Sequence, residues 1–87
     1  MTLNSHKWRR IMQWIVRDVH LGCNIQRVRI DKGLTQDQLV AKMQIHGSSM
    51  SRSTLANIEA GNRNIKATDL KIIKELLGVS YQEFFAS

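Results

Sequence analysis

Apolar residues recur near the 3.6-residue period of an α-helix along most of the chain, and short polar turns separate the periodic segments. The sequence contains no proline, no internal repeat, no low-complexity tract and no alternating pattern that would predict a strand. The pattern therefore predicts an all-α protein. The predicted helices span about residues 4–20, 23–31, 36–46, 51–60 and 67–77, with a short helix after residue 80.

Two helix-start signals flank a polar turn in the middle of the chain. Thr35 and Gln38 have the spacing of a capping box, in which each side chain accepts a hydrogen bond from an amide group left open at the helix start. Gly47 predicts the end of this helix, Ser51 can cap the next one, and Gly61 suits the left-handed conformation that follows a helix. Two short helices around a turn are typical of a DNA-reading helix pair.

The apolar faces of these helices predict a single core. Gly22 is expected to separate the first helix from the second, and Cys23 is expected to be a buried structural residue rather than a reactive thiol. Ser80 and Glu83 repeat the capping-box spacing before the last helix. Only one of the two adjacent phenylalanines that follow can face a small core. The residues predicted to point inward are Ile25, Val28, Ile30, Leu39, Val40, Met43, Ile45, Leu55, Ile58, Leu70, Ile73, Leu76 and Leu77.

Chain length and composition limit the class of protein. A chain of 87 residues with one cysteine has room for one small domain and no disulfide framework. No apolar run reaches the roughly 18 residues of a membrane span, and the first residues lack the uninterrupted apolar core of a signal peptide. We therefore expect a cytoplasmic protein that does not contact a membrane.

The charge balance favours a polyanionic partner. Thirteen Lys and Arg residues against seven Asp and Glu residues give a formal net charge of +6 and a pI near 10.1. Because the basic residues are spread along the chain, charge alone does not choose among DNA, RNA, a membrane and a solvated surface.

The sequence offers little that would support catalysis. His6, His20 and His46 are scattered, and no carboxylate pair has a recognisable acid-base context. No His and Cys cluster has metal-ligand spacing, and no glycine-rich loop suggests nucleotide binding. We therefore expect a protein that is not an enzyme and that needs no cofactor or metal.

Three segments in order carry a resemblance to a known family. LGCNIQRVRIDKGLTQDQL, then SRSTLANIEAG, then KIIKELLGVSYQEFF cover much of the chain from Leu21 to about Phe85. Their order and spacing resemble the Cro and phage-repressor type of helix-turn-helix domain, also called the Xre family. The resemblance implies a five-helix repressor-like core in which residues 36–46 lie across the DNA backbone and residues 51–60 enter the major groove.

The resemblance also implies roles for individual side chains. Arg29 and Glu59 match a structural ion pair that links the first family helix to the end of the recognition helix. The hydroxyls of Ser51 and Thr54 can bind either phosphate or their own helix terminus, and for Ser51 the structural cap is favoured. The expected base-reading residues are Arg52, Ser53 and Asn57. The expected phosphate-contacting residues are Gln36, Thr54, Arg63, Asn64 and Lys66.

The chain departs from the family pattern in two places. Val40 stands where many members have alanine, and the segment QIHGSSM lengthens the turn before Ser51. If Gly47 ends the first helix and Met50 packs beneath the connection, the recognition helix can keep its place. Otherwise its docking angle changes, and the assignment of its side chains to base edges changes with it.

The N-terminal extension, residues 1–20, lies largely outside the resemblance, whereas residues 21–87 form the expected DNA-binding domain. The extension has an apolar helical stripe that includes Trp8 and an opposite basic face. Two alternatives stay open for each face: the basic face is either solvated or in contact with DNA phosphate, and the apolar stripe either packs on the domain or forms a homodimer interface. Trp14 lies towards the polar face, where an exposed indole often has a partner.

Two functions from different classes follow. The first is a sequence-specific regulator of transcription that binds double-stranded DNA, most simply a repressor that occupies an inverted-repeat operator as a homodimer. The alternative is a protein-interaction module, such as an antitoxin or a regulatory adaptor with secondary DNA binding, whose partner would contact the N-terminal helix or the C-terminal aromatic residues. RNA binding ranks third, because the chain lacks an aromatic stacking platform.

Overall fold

The computed structural model describes residues 19–86, and this part of the chain contains five helices and no strand. It confirms the predicted all-α class. The helix predicted over residues 4–20 falls almost entirely outside the described residues. The five helices are α1 (Val19–Asp31), α2 (Gln36–Ile45), α3 (Arg52–Glu59), α4 (Ala67–Leu77) and α5 (Tyr81–Phe85).

Both helix starts predicted around the central turn are confirmed. Thr35 caps α2 in a complete capping box: its Oγ1 accepts from the Gln38 amide at 3.1 Å, and its own amide donates to Gln38 Oε1 at 2.9 Å. Ser51 caps α3, with its Oγ accepting from the Thr54 amide at 3.1 Å. Each cap supplies an acceptor for an amide that lies too early in the helix to find one within it.

The capping box predicted for the last helix is wrong. Ser80 stands at the N-cap of α5 but makes no side-chain capping hydrogen bond. Glu83 instead points towards α1, where its carboxylate lies 3.5 Å from Nη2 of Arg27. The C-terminal end of α5 is also held by α1, because Asn24 Nδ2 donates to the Phe84 and Ala86 carbonyls at 2.8 and 2.6 Å.

The described helices and loops enclose one apolar core. Two loop residues that the helical pattern leaves unassigned, Met50 and Ile65, are buried in it. Phe84 is fully buried while Phe85 is exposed, so the prediction that only one of them faces the core is confirmed. The buried apolar residues are Leu21, Ile25, Val28, Leu39, Val40, Met43, Met50, Leu55, Ile58, Ile65, Leu70, Ile73, Leu77 and Phe84.

Three residues predicted to be buried are exposed. Ile30 and Ile45 leave 58% and 82% of their surface open, and Cys23 is exposed as well. Each stands two positions after a buried residue of the same helix. Two helical positions turn the side chain by about 200°, so these residues point away from the core. Hydrophobic character alone therefore assigned the wrong face at these positions.

Gly22 lies inside α1 and does not end a helix, so the predicted break is wrong. The glycine is buried where α1 crosses α3. A Cβ atom at this position would overlap the carbonyl oxygen of Ile58 and would lie 3.1 Å from that of Glu59. The missing side chain thus allows the two helix backbones to approach closely.

None of the helices found in residues 19–86 is long and apolar enough to span a membrane.

Candidate nucleic-acid interface

The outer side of α3 presents a row of polar side chains, which we call the reading face: Arg52, Ser53 and Asn57. All three are exposed, because Leu55 and Ile58 direct the opposite side of the helix into the core. Asn57 Nδ2 donates to the Ser53 carbonyl at 3.0 Å, which holds the amide along the helix. One hydrogen of that amide and its carbonyl oxygen are left for a partner.

The hydroxyls of Ser51 and Thr54 are used largely at the start of α3. Ser51 Oγ accepts from the Thr54 amide and donates to Thr54 Oγ1 at 2.9 Å. Ser51 is therefore a structural cap. Thr54 is half-buried, and its own hydroxyl hydrogen is the group that it can still donate to a phosphate.

A buried network fixes the position of α3 against the rest of the domain. Arg29 on α1 makes a bidentate ion pair with Glu59 at the end of α3: Nε donates to Oε2 at 2.7 Å and Nη2 donates to Oε1 at 2.9 Å. The side chains are only 8% and 2% exposed. Arg29 Nη1 also donates to the Leu34 carbonyl at 2.7 Å, which ties the turn before α2 to the same network.

Gln36 joins this network at the first position of α2. Its Nε2 donates to Glu59 Oε1 at 2.9 Å, so the carboxylate of Glu59 connects the starting end of α2 to the far end of α3. A side-chain amide has two hydrogens, and the second remains for an anion. The first amide groups of α2 also lack acceptors within the helix, as at any helix start.

The lengthened connection between α2 and α3 is held by specific contacts. Gly47 adopts a φ of 91°, which follows the end of α2 and suits glycine. Ser48 Oγ donates to Asp69 on α4 at 2.8 Å and accepts from the Met50 amide at 3.0 Å. Gln44 Nε2 donates to the Met50 carbonyl at 2.9 Å, and the Met50 side chain is buried. Gly47 thus follows the end of α2 and Met50 packs beneath the connection, and under these two conditions α3 keeps its position despite the longer turn.

The loop from α3 to α4 carries the remaining candidates for phosphate contacts. Arg63, Asn64 and Lys66 are all exposed, whereas Ile65 between them is buried in the core. Ile65 therefore anchors the loop and leaves its polar neighbours at the surface. The sequence pattern assigned no role to Ile65, because an isolated apolar residue in a polar loop has no periodicity.

One acidic residue near the reading face was missed by the sequence reasoning. Asp37, in the first turn of α2, places Oδ2 3.6 Å from Nη1 of Arg52. The two residues border an open concavity that is also lined by Arg29, Leu34, Thr35 and Gln36. No sequence signal identifies this pair, because it depends on how α2 and α3 pack against each other.

Known proteins include sequences that are similar to this chain. Residues 25–84 match a protein-family model described as helix-turn-helix. The chain is also similar to the uncharacterized HTH-type transcriptional regulator y4dJ of Sinorhizobium fredii, with 36% identity over 63 residues that cover 72% of this chain and 75% of that protein. No solved structure gives a significant match.

Proposed function

Since this chain belongs to the helix-turn-helix family of the Xre and Cro type, we propose that it is a sequence-specific transcription repressor that binds an inverted-repeat operator as a homodimer. DNA binding and regulation of transcription are supported by the family match and by the related regulator. On this proposal, residues 1–20 are an N-terminal extension and residues 21–87 are the DNA-binding domain. α1 is continuous across that division.

The observation that carries the proposal is the reading face on a firmly held helix. Arg52 has the geometry for a bidentate contact with guanine, Asn57 for adenine, and Ser53 for several bases. These side chains are exposed on α3, while the opposite side of α3 is packed in the core and joined to α1 and α2 by Glu59. A reading helix needs this combination of exposed polar groups and fixed orientation.

Phosphate contacts would position the reading face in the major groove. The start of α2, with Gln36 at its first position, suits a backbone phosphate because the helix dipole and open amides favour an anion. Thr54 can donate its hydroxyl hydrogen from the start of α3. Arg63, Asn64 and Lys66 are exposed on the loop that follows α3. These contacts would supply affinity that falls steeply with salt.

A homodimer follows from the small number of base pairs that one helix can read. Two copies on half-sites about 34 Å apart would double the number of bases read. Selection of bound sites from random duplex DNA tests both parts of the proposal. We expect an enriched inverted repeat with half-site centres separated by about one helical turn. Enrichment of a single half-site would reject the dimer, and absence of any enriched sequence would reject specific DNA reading.

Replacing Arg52 with alanine should weaken binding to the selected site by about 1–3 kcal/mol and relax the preference at one base position. Lys66→Ala should weaken binding to selected and random duplexes about equally, because a phosphate contact carries no base information. Fluorescence anisotropy titrations at several salt concentrations measure both effects. The slope of log affinity against log salt concentration should fall by about one only for Lys66→Ala or another variant that loses a phosphate contact.

Lys74→Ala is the control that removes the same charge. Nζ of Lys74 lies over the ring of Tyr81 on α5, so the side chain contacts that ring and is not among the residues proposed to contact DNA. It should change neither the base preference nor the salt slope appreciably. An equal loss on selected and random DNA for Arg52→Ala would contradict its role as a base reader.

One observation favours a second function. Tyr81 and Phe85 stand one helical turn apart on α5 and leave 43% and 40% of their surface exposed. Such a pair can contact a partner protein, as in an antitoxin or regulatory adaptor. Stoichiometric co-purification of another protein, together with the absence of salt-sensitive sequence preference, would favour this function over operator binding.

A further inference from the structure

The ion pair between Asp37 and Arg52 connects the first turn of α2 to the first residue of α3. Asp37 Oδ2 lies 3.6 Å from Arg52 Nη1, and the two side chains are 68% and 67% exposed. Asn57 and Ser53 contact each other along α3, whereas Arg52 forms an ion pair with a residue of another helix. Among the reading-face side chains, Arg52 is thus the one whose direction depends on the packing of α2 against α3.

Given the proposed DNA-reading function, we propose that Asp37 is a positioning residue that sets the selectivity of Arg52 for guanine. An exposed ion pair is weak, so it can bias the direction of the guanidinium without keeping it from DNA. Arginine has five N–H donors, and a bidentate guanine contact uses only two. The remaining donors allow Arg52 to contact guanine and Asp37 at the same time.

The carboxylate of Asp37 also makes binding less favourable for DNA that lacks guanine at the position read by Arg52. Asp37 directly follows Gln36, the residue proposed to contact a phosphate, so its negative charge would lie near the DNA backbone. The repulsion is offset when Arg52 is held between the carboxylate and a guanine. When another base occupies that position, Arg52 can turn to a phosphate and leave Asp37 unpaired beside the backbone. Asp37 therefore lowers affinity for random DNA more than affinity for the correct site.

The test is Asp37→Asn, which keeps the size of the side chain and removes its charge. We expect affinity for random duplex DNA to rise a few-fold. The preference for guanine at the position read by Arg52 should fall roughly three- to tenfold, since the orienting contact and the repulsion are both lost. Both quantities are measured by anisotropy titration of duplexes that differ only at that base pair. Asp37→Glu, which keeps the charge, should restore most of the preference.

Two comparisons separate this role from a general effect of charge. Asp31→Asn removes the same charge from another exposed ion pair, with Arg27, and should leave the guanine preference unchanged. In an Arg52→Ala background, Asp37→Asn should alter the base preference no further. Thermal unfolding of each variant checks that α2 stays folded, because an acidic residue in the first turn also stabilises the helix.

Uniform tightening on all duplexes with an unchanged guanine preference would overturn the inference and leave the proposed function standing. A shift in preference that persists in the Arg52→Ala background would also overturn it, because Asp37 would then act without Arg52. If the wild-type protein shows no sequence preference at all, the proposed function fails first and the inference fails with it.

Discussion

Replacing Arg29 with methionine should lower the free energy of unfolding by about 3–5 kcal/mol. The change removes the guanidinium that holds the buried Glu59 carboxylate in a bidentate pair and leaves that charge with the Gln36 amide as its remaining contact in the network. The Leu34 carbonyl also loses a donor. Chemical denaturation at neutral pH measures the effect as a shift of the midpoint with an unchanged slope.

Arg27→Met is the matched control, because Arg27 lies on the same helix and all its contacts are exposed: ion pairs with Asp31 and Glu83 and a hydrogen bond to the Glu83 carbonyl. Its cost should stay within about 1 kcal/mol. The double change Arg29→Met with Glu59→Met should cost clearly less than the sum of the two single changes, since neither charge is then left alone in the core. Additive costs, or an Arg29→Met variant as stable as the control, would show that the buried pair does not act as a unit.

Replacing Gly22 with alanine should lower the free energy of unfolding by about 3 kcal/mol, as expected for overpacking against a rigid group. In an ordinary helix interior the same change is favourable by up to about 1 kcal/mol, so helix propensity predicts the opposite sign. The new Cβ would overlap the Ile58 carbonyl oxygen, and α1 and α3 would have to move apart. Because these two backbones cannot separate without opening the core, the steric cost is larger than the gain in helix propensity.

Cys23→Ala provides the control for this substitution, because it changes the neighbouring position of α1 on the exposed side. Its effect should stay within about 0.5 kcal/mol. Thermal or chemical unfolding measures the free energy of unfolding of both variants. A Gly22→Ala protein as stable as Cys23→Ala would show that the close approach of α1 and α3 is not required.

Gly22→Ala and Arg29→Met both change how α3 is positioned in the domain, so they should also affect the proposed reading of DNA. Gly22 sets how closely α1 approaches α3, and Arg29 fixes the end of α3 through Glu59. Neither residue belongs to the reading face. We therefore expect any folded fraction of either variant to lose affinity through a displaced reading helix, with the base preference weakened at several positions instead of one.

Residues whose role depends on their own chain segment could be predicted, whereas residues whose role depends on other segments could not. Thr35 and Ser51 were identified correctly because a cap depends on an amide three residues away in the same chain segment. Ile45 and Cys23 were assigned to the core wrongly because their apolar character outweighed their angular position on the helix. The capping box of Ser80 does not form: the Glu83 amide donates to the Ser80 carbonyl at 3.1 Å, and the Glu83 carboxylate lies near Arg27, far away in sequence.

The helical class and the starts of α2 and α3 could be predicted from the sequence because each depends on residue types at short fixed spacings, and the family resemblance because three segments occur in the expected order. The assignment of bases and phosphates to particular side chains stays a prediction from that resemblance. Three relations could be seen only in the folded structure: Gly22 allows the α3 backbone to approach, Gln36 donates a hydrogen bond to Glu59, and Asp37 faces Arg52. These relations join residues on different helices, and their distances follow from how the helices pack around the core.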